Sequence, residues 1–114
     1  MRPPILAIEP TGDHAVRVRL AAPAGHEAFA GHFPNHPILP GIVLLDWAVQ
    51  LAATCFGFAS RPATQVRVKF MQTIGPDPAD LSLSLRYDPT RTELTFEYRT
   101  GATIASRGSA RLAP

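Results

Sequence analysis

The chain has 114 residues, enough for one domain with a real core but not for a cofactor domain beside a substrate domain. With 46% hydrophobic and 18% charged residues it can bury enough apolar surface to offset its ordering entropy, which excludes intrinsic disorder. A single cysteine, Cys55, excludes an internal disulfide framework and a multi-cysteine zinc site, and a net charge of +2 is too mild to indicate nucleic acid.

In chain order, Ile5 to Ile8 reads as a short strand, and His14 to Leu20 as a second with Val16, Val18 and Leu20 on one face. The run from Gly41 to Ala59 is the one long helix. It approaches the length of a membrane span, but Asp46 and Gln50 interrupt it, so it reads as a core helix apolar on nearly every side. Four alternating runs follow: Val66 to Met71, Leu81 to Asp88, Glu93 to Arg99, and Ala102 to Leu112 with weaker alternation. Gly75-Pro76-Asp77-Pro78, Asp88-Pro89-Thr90 and Gly101 supply the turns. Residues 1–114 thus form a single α+β domain, an antiparallel sheet curled around one central helix. Such a sheet leaves open edges, which dimerisation would cover. Arg2, Glu9, Asp13, Arg17 and Arg19 leave no uncharged signal-peptide core in the first 22 residues, so the expected location is cytoplasmic.

Residues 31–50 carry the chemistry-bearing types. Prolines 34, 37 and 40 enforce a stiff, extended approach, and Gly41 then opens the helix. The first-turn amides of a helix lack intrahelical partners and carry the positive end of its dipole. Asp46 is the only charged side chain from Ile38 through Ser60, on a helix expected to be buried. At 100° per residue it shares a stripe with Gln50, Ala53 and Gly57, opposite Leu44, Leu51, Cys55 and Phe58. That stripe reads either as a slot with an acid at one end or as a satisfied core aspartate. His32 reads either as a general base or as a surface imidazole; His14, His26 and His36 show that not every histidine here is functional. No zinc-type His or Cys spacing appears, because Pro34 keeps His32 and His36 off one helical face.

At these residues the sequence resembles the β-hydroxyacyl-[acyl carrier protein] dehydratases of the hot-dog fold. The matching motif is His32-Phe33-Pro34, Pro37, Pro40-Gly41, Asp46 and Gln50, with Val68-Lys69-Phe70 and a Gly75-Pro76-Asp77 turn downstream. The acid is Asp, as in the branch that also isomerises, where bulk-pathway relatives usually carry Glu. Leu45-Asp46-Trp47-Ala48 looks more like dehydratases of specialised pathways, such as aryl-polyene pigment clusters.

The resemblance implies a 3-hydroxyacyl thioester delivered on the phosphopantetheine arm of an acyl carrier protein, with no other cofactor and no metal. It implies His32 as base at C2, the Gly41 backbone N–H as oxyanion donor, and Asp46 as acid at the 3-hydroxyl, its carboxyl buried among Ile42, Val49 and Ala53. Phe33, Pro40, Ile42 and Gln50 would line or support the site, Gln50 either holding the acid or simply lining the slot. It further implies a homodimer or higher even oligomer with a site shared between subunits, or a heterodimer with a related hot-dog chain. Arg61, Arg67, Lys69, Arg99 and Arg107 are candidates for a basic surface that meets an acidic carrier protein. A hot-dog thioesterase and a non-catalytic hot-dog subunit are the alternatives.

Overall fold

The computed structural model describes residues 2–30, 37–59 and 61–113. Six strands form one antiparallel sheet in the order β1-β2-β4-β5-β6-β3: β1 Ile5–Gly12, β2 Ala15–Leu20, β3 Ala63–Phe70, β4 Leu81–Asp88, β5 Glu93–Thr100 and β6 Thr103–Leu112. The helix α1, Gly41–Phe56, lies in the hollow of the sheet, the hot-dog arrangement. A 3-10 turn, Glu27–Phe29, precedes it and was not anticipated from the sequence.

Alternation sets the layers. Val16, Val18 and Leu20 of β2, Leu81, Leu83, Leu85 and Tyr87 of β4, and Leu94, Phe96 and Tyr98 of β5 all turn inward and are buried. They close on Leu44, Trp47, Ala48, Leu51 and Ala52 of α1. Trp47 is wholly buried and is the largest side chain of this core. Polar partners occupy the outer face: one row crosses five strands as Arg17, Ser84, Glu97, Arg107 and Lys69.

Three expectations need correction. The helix ends at Phe56 rather than Ala59, because Gly57 adopts a left-handed φ of 72° and its N–H returns to the Ala53 carbonyl. Among the described residues no helix is long and apolar enough to cross a membrane. Next, α1 is not buried all round: Ile42, Asp46 and Thr54 are exposed, because the sheet of one chain wraps only one side of it. Finally, β3 is not half-buried. It is an edge strand paired only with β6, and Val66 and Phe70 remain 40% and 57% exposed. A bulge between Thr64 and Arg67, with Gln65 at a φ of 49°, gives it extra twist.

Candidate functional site

The approach to α1 is stapled in place before the helix begins. The Leu39 N–H donates to the Ile74 carbonyl at 2.8 Å. Pro40 then takes the N-cap position in extended conformation, φ −63° and ψ 145°, and its carbonyl accepts from Val43 and Leu44. Proline suits this position, since its fixed φ is compatible and no amide is lost from the helix. Gly41 follows in close contact with Phe70: a Cβ there would lie 2.7 Å from Cζ of that ring, which is exposed and would have to shift to admit it. Around this helix start lies a cavity of about 510 Å³, lined by Pro40, Gly41, Ile42, Phe70, Met71 and Ile74 among others. An apolar hollow with first-turn amides at one wall can hold an apolar group beside a developing negative charge.

Asp46 sits one and a half turns further along, on the side of α1 that the sheet leaves open. In the single chain it is exposed, which corrects the expectation of a carboxyl buried among Ile42, Val49 and Ala53. Ile42 is 77% exposed, Val49 faces the core at 8%, and Ala53 is half-buried. The Gln50 amide donates to Asp46 Oδ2 at 2.6 Å. The i, i+4 spacing of the two places them on one helical ridge. Gln50 also borders a second groove of about 650 Å³, which runs along Leu51, Ala53 and Thr54 and is closed by Arg2, Pro3 and Ile5. Neither Asp46 nor Gln50 belongs to the wall of the Gly41 cavity. Among the described residues Asp46 itself lines neither space.

Behind the acid, the Tyr98 hydroxyl donates to the Leu44 carbonyl at 2.6 Å. Burial pushes the Tyr98 phenol well above its ordinary range, and the negative charge of Asp46 adds to that. The phenol therefore stays protonated and acts as a fixed donor, tying β5 to the first turns of α1. Sequence reasoning placed Tyr98 only as an inward strand residue, and no spacing signal marks its bond. Phe70 was legible from its alternating strand and from the Val68-Lys69-Phe70 match, but not as a neighbour of Gly41.

His32 and Phe33 lie in residues 31–36, outside the described residues. The five candidate surface cations do not form one patch. Arg67, Lys69 and Arg107 share an outer groove of about 410 Å³ with Thr95 and Ser109. Arg99 instead pairs with Glu97 at 3.3 Å, in a separate hollow with Arg17 and Arg19. Arg61 stacks over Phe58, 5.5 Å from the ring centroid.

Comparison with known proteins places this geometry in context. The chain shares 32% identity with the 3-hydroxyacyl-[acyl-carrier-protein] dehydratase FabZ of Roseiflexus sp. (strain RS-1), across 76% of this chain and 64% of that protein. It shares 32% with FabZ of Anaeromyxobacter dehalogenans (strain 2CP-C), across 68% of this chain and 52% of that protein. The match to FabZ of Wolbachia sp. subsp. Brugia malayi is 38% identical but spans only 32% of that protein's length. Among solved structures, the dehydratase heterocomplex ApeI:P from Xenorhabdus doucetiae superposes over 100% of both chains with a TM-score of 0.87 and 29% identity. A thioesterase superfamily protein, RHA08564, matches at 20% identity and a TM-score of 0.61, a likeness of fold alone. The model of the ApeI dehydratase family matches residues 8–109, taking in the proline-stiffened approach, Gly41, the Asp46–Gln50 pair and all of β2 to β5. The chain belongs to the ApeI-like dehydratase family.

Proposed function

We propose that the protein dehydrates 3-hydroxyacyl thioesters to trans-2-enoyl thioesters, the acyl group arriving on the phosphopantetheine of an acyl carrier protein. His32 takes a proton from C2, and the electron pair moves into the thioester as an enolate whose oxygen rests on the Gly41 N–H. The enolate then re-forms the carbonyl and the C2–C3 double bond, while Asp46 protonates the departing 3-hydroxyl, which leaves as water. Family membership and the FabZ relatives support the reaction class.

The observation that carries the reading is the division of the site along α1. The helix start opens on an apolar cavity, whereas Asp46, bonded by Gln50, is exposed and lies outside that cavity's lining. A reaction that needs an oxyanion donor and an acid at adjacent carbons then draws them from two chains. The exposed edge strand β3, with Val66, Phe70, Met71 and Ile42 along the same side, offers the apolar surface and unpaired backbone for that second chain. The second chain is another copy in the simplest assembly. A related hot-dog subunit is the alternative, favoured by the heteromeric state named for the ApeI:P structure.

The test is turnover of a 3-hydroxyacyl thioester on carrier protein, following enoyl absorbance against thiol release, with the oligomeric state measured on the same sample. Enoyl formation by a dimer supports the reading. Thiol release without enoyl product replaces it with a thioesterase. Activity that appears only after a second hot-dog chain is added identifies a heteromeric enzyme.

A further inference from the structure

The outer face of the sheet carries a cluster of cations that the fold does not use. Alternation along β3 turns Val68 and Phe70 inward and Arg67 and Lys69 outward. On β6, Ser109 stands opposite Arg67 and Arg107 opposite Lys69. Thr95 of β5 continues the first of these rows, and Arg86 of β4 follows it. Arg67, Lys69, Arg107, Thr95 and Ser109 line one groove of about 410 Å³. Its three cations are exposed, and among the described residues none of them makes an ion pair. Glu97 stands opposite Arg107 in the ladder, yet its carboxylate goes to Arg99 at 3.3 Å. Like charges directly opposite on neighbouring strands are destabilising. The Lys69–Arg107 rung is therefore a local cost that nothing among the described residues offsets.

The groove lies on the reverse of the strand that walls the Gly41 cavity. β3 ends at Phe70, and the cavity wall runs on through Met71, Gln72, Thr73 and Ile74. A carrier anchored on the outer face can send a flexible arm round the end of β3 to the helix start, without crossing the edge that a second chain would cover. We propose that Arg67, Lys69 and Arg107 form the docking surface for the acidic face of the carrier protein that brings the acyl group. This role rests on the dehydratase reading. Charge complementarity names the occupant, since three cations, two hydroxyls and no acid line the groove. The groove is also shallow and open, and none of its polar side chains is buried. A single exposed ion pair is worth little in water, so a free phosphate gains little there. A row of carboxylates on one rigid surface engages all three cations together, and the same charges steer its approach. Arg61 and Arg99 lie outside the groove, engaged by Phe58 and Glu97.

The test is calorimetric binding of phosphopantetheinylated acyl carrier protein, bearing no acyl group, to the full chain at several salt concentrations. The parent should bind, and more weakly as salt rises, because exposed charges are screened. Arg67→Glu and Lys69→Glu should each weaken binding about 10-fold and flatten the salt dependence, since reversal replaces attraction with repulsion. Arg61→Glu should stay within about 2-fold of the parent. Lys69→Glu has a second signature that needs no partner. It turns the like-charge rung into an opposite-charge one, so the melting temperature should rise by about 2–4 °C. One substitution then stabilises the chain and weakens the complex, as expected of a surface kept for binding rather than for folding.

Binding that ignores both reversals overturns the proposal, as does an equal loss in Arg61→Glu. A Lys69→Glu protein no more stable than the parent also overturns it, because the cluster then carries no cost for binding to explain. Parent protein that sediments with phosphatidylglycerol vesicles but does not bind the carrier replaces the partner with a lipid surface. An unmodified protein that makes no enoyl product, yet loses carrier binding on both reversals, sinks the dehydratase reading and leaves the docking surface. Enoyl formation from carrier-borne substrate with the same KM in parent and reversed proteins sinks the docking surface and leaves the dehydratase reading.

Discussion

The two faces of α1 are built from the same sixteen residues and do opposite work. The inner face, Leu44, Trp47, Ala48, Leu51 and Ala52, is buried against β2, β4 and β5 and carries no charge. The outer face, Ile42, Asp46, Gln50 and Thr54, is largely open and carries the only acid of the helix, with its amide partner and an unusually exposed isoleucine. Neighbouring positions in sequence, such as Asp46 and Trp47, therefore fall under different constraints. One face stabilises the chain on its own; the other is the face that the proposed second chain would cover. Changes on the outer face should alter chemistry with little effect on folding, and changes on the inner face the reverse.

The sharpest break of that comparison is Asp46→Asn. Loss of a general acid typically costs ~10²–10⁴ in rate, so the variant should be nearly inactive in the enoyl assay. Its denaturation midpoint should match the parent, because the amide keeps the shape at an exposed position. Asp46→Glu should retain part of the activity, because it keeps a carboxyl at the same helical position and moves it by one methylene. A folded, fully active Asp46→Asn protein would make this acid structural and remove the distinction between the faces.

One residue further on, Trp47→Ala tests the inner face. Truncating a wholly buried tryptophan costs about 3–5 kcal/mol, a large part of the stability of a domain this size. Urea unfolding followed by circular dichroism should show that loss; a cost under about 1 kcal/mol would mean the core does not depend on this face.

Gly108→Ala tests the sheet rather than the helix. Gly108 pairs with Val68 on one side and Phe96 on the other, and a Cβ there would collide with the Arg67 carbonyl oxygen and press on the Phe96 ring. Overpacking of this kind costs about 1–3 kcal/mol. Because the strain falls on the β3–β6 pair, the proposed dimer should weaken before the monomer unfolds, which sedimentation at falling concentration would reveal.

Tyr98→Phe removes the bond that joins the two kinds of region, at about 1 kcal/mol at neutral pH. It also has a signature in alkali. The unfolded chain loses the phenolic proton near pH 10, whereas burial and the Asp46 charge keep it on the folded chain to higher pH. Above pH 10 the unfolded state therefore binds fewer protons, so the Tyr98 contribution is constant below about pH 10 and stability declines as the pH rises past it. The decline should be shallower in Tyr98→Phe; equal slopes would show that Tyr98 is not the group responsible. The smallest effect concerns Cys55, whose thiol is pushed up by partial burial. Alkylation at pH 8 should be slower than for a free thiol and accelerate on unfolding, because thiolate is the reactive form. Alkylation as fast as that of a free thiol would place Cys55 on an open face.

The sequence by itself determined the parts whose rules are local. Strict alternation in His14–Leu20, Leu81–Asp88 and Glu93–Arg99 fixed β2, β4 and β5 nearly to the residue, and Pro40-Gly41 marked the helix start. The spacing of Asp46 and Gln50 already placed the pair on one ridge, where the hydrogen bond now lies. Only the tertiary structure decided which apolar residues are actually covered. Val66, Phe70 and Ile42 read as core by pattern, yet periodicity reports that a face is apolar, not what meets it. Their cover depends on the position of β3 at the sheet edge, a matter of strand order. The same holds for His26 and Tyr98: the first meets Trp47 across 21 residues and the second meets Leu44 across 54, and no local pattern records contacts made by chain closure.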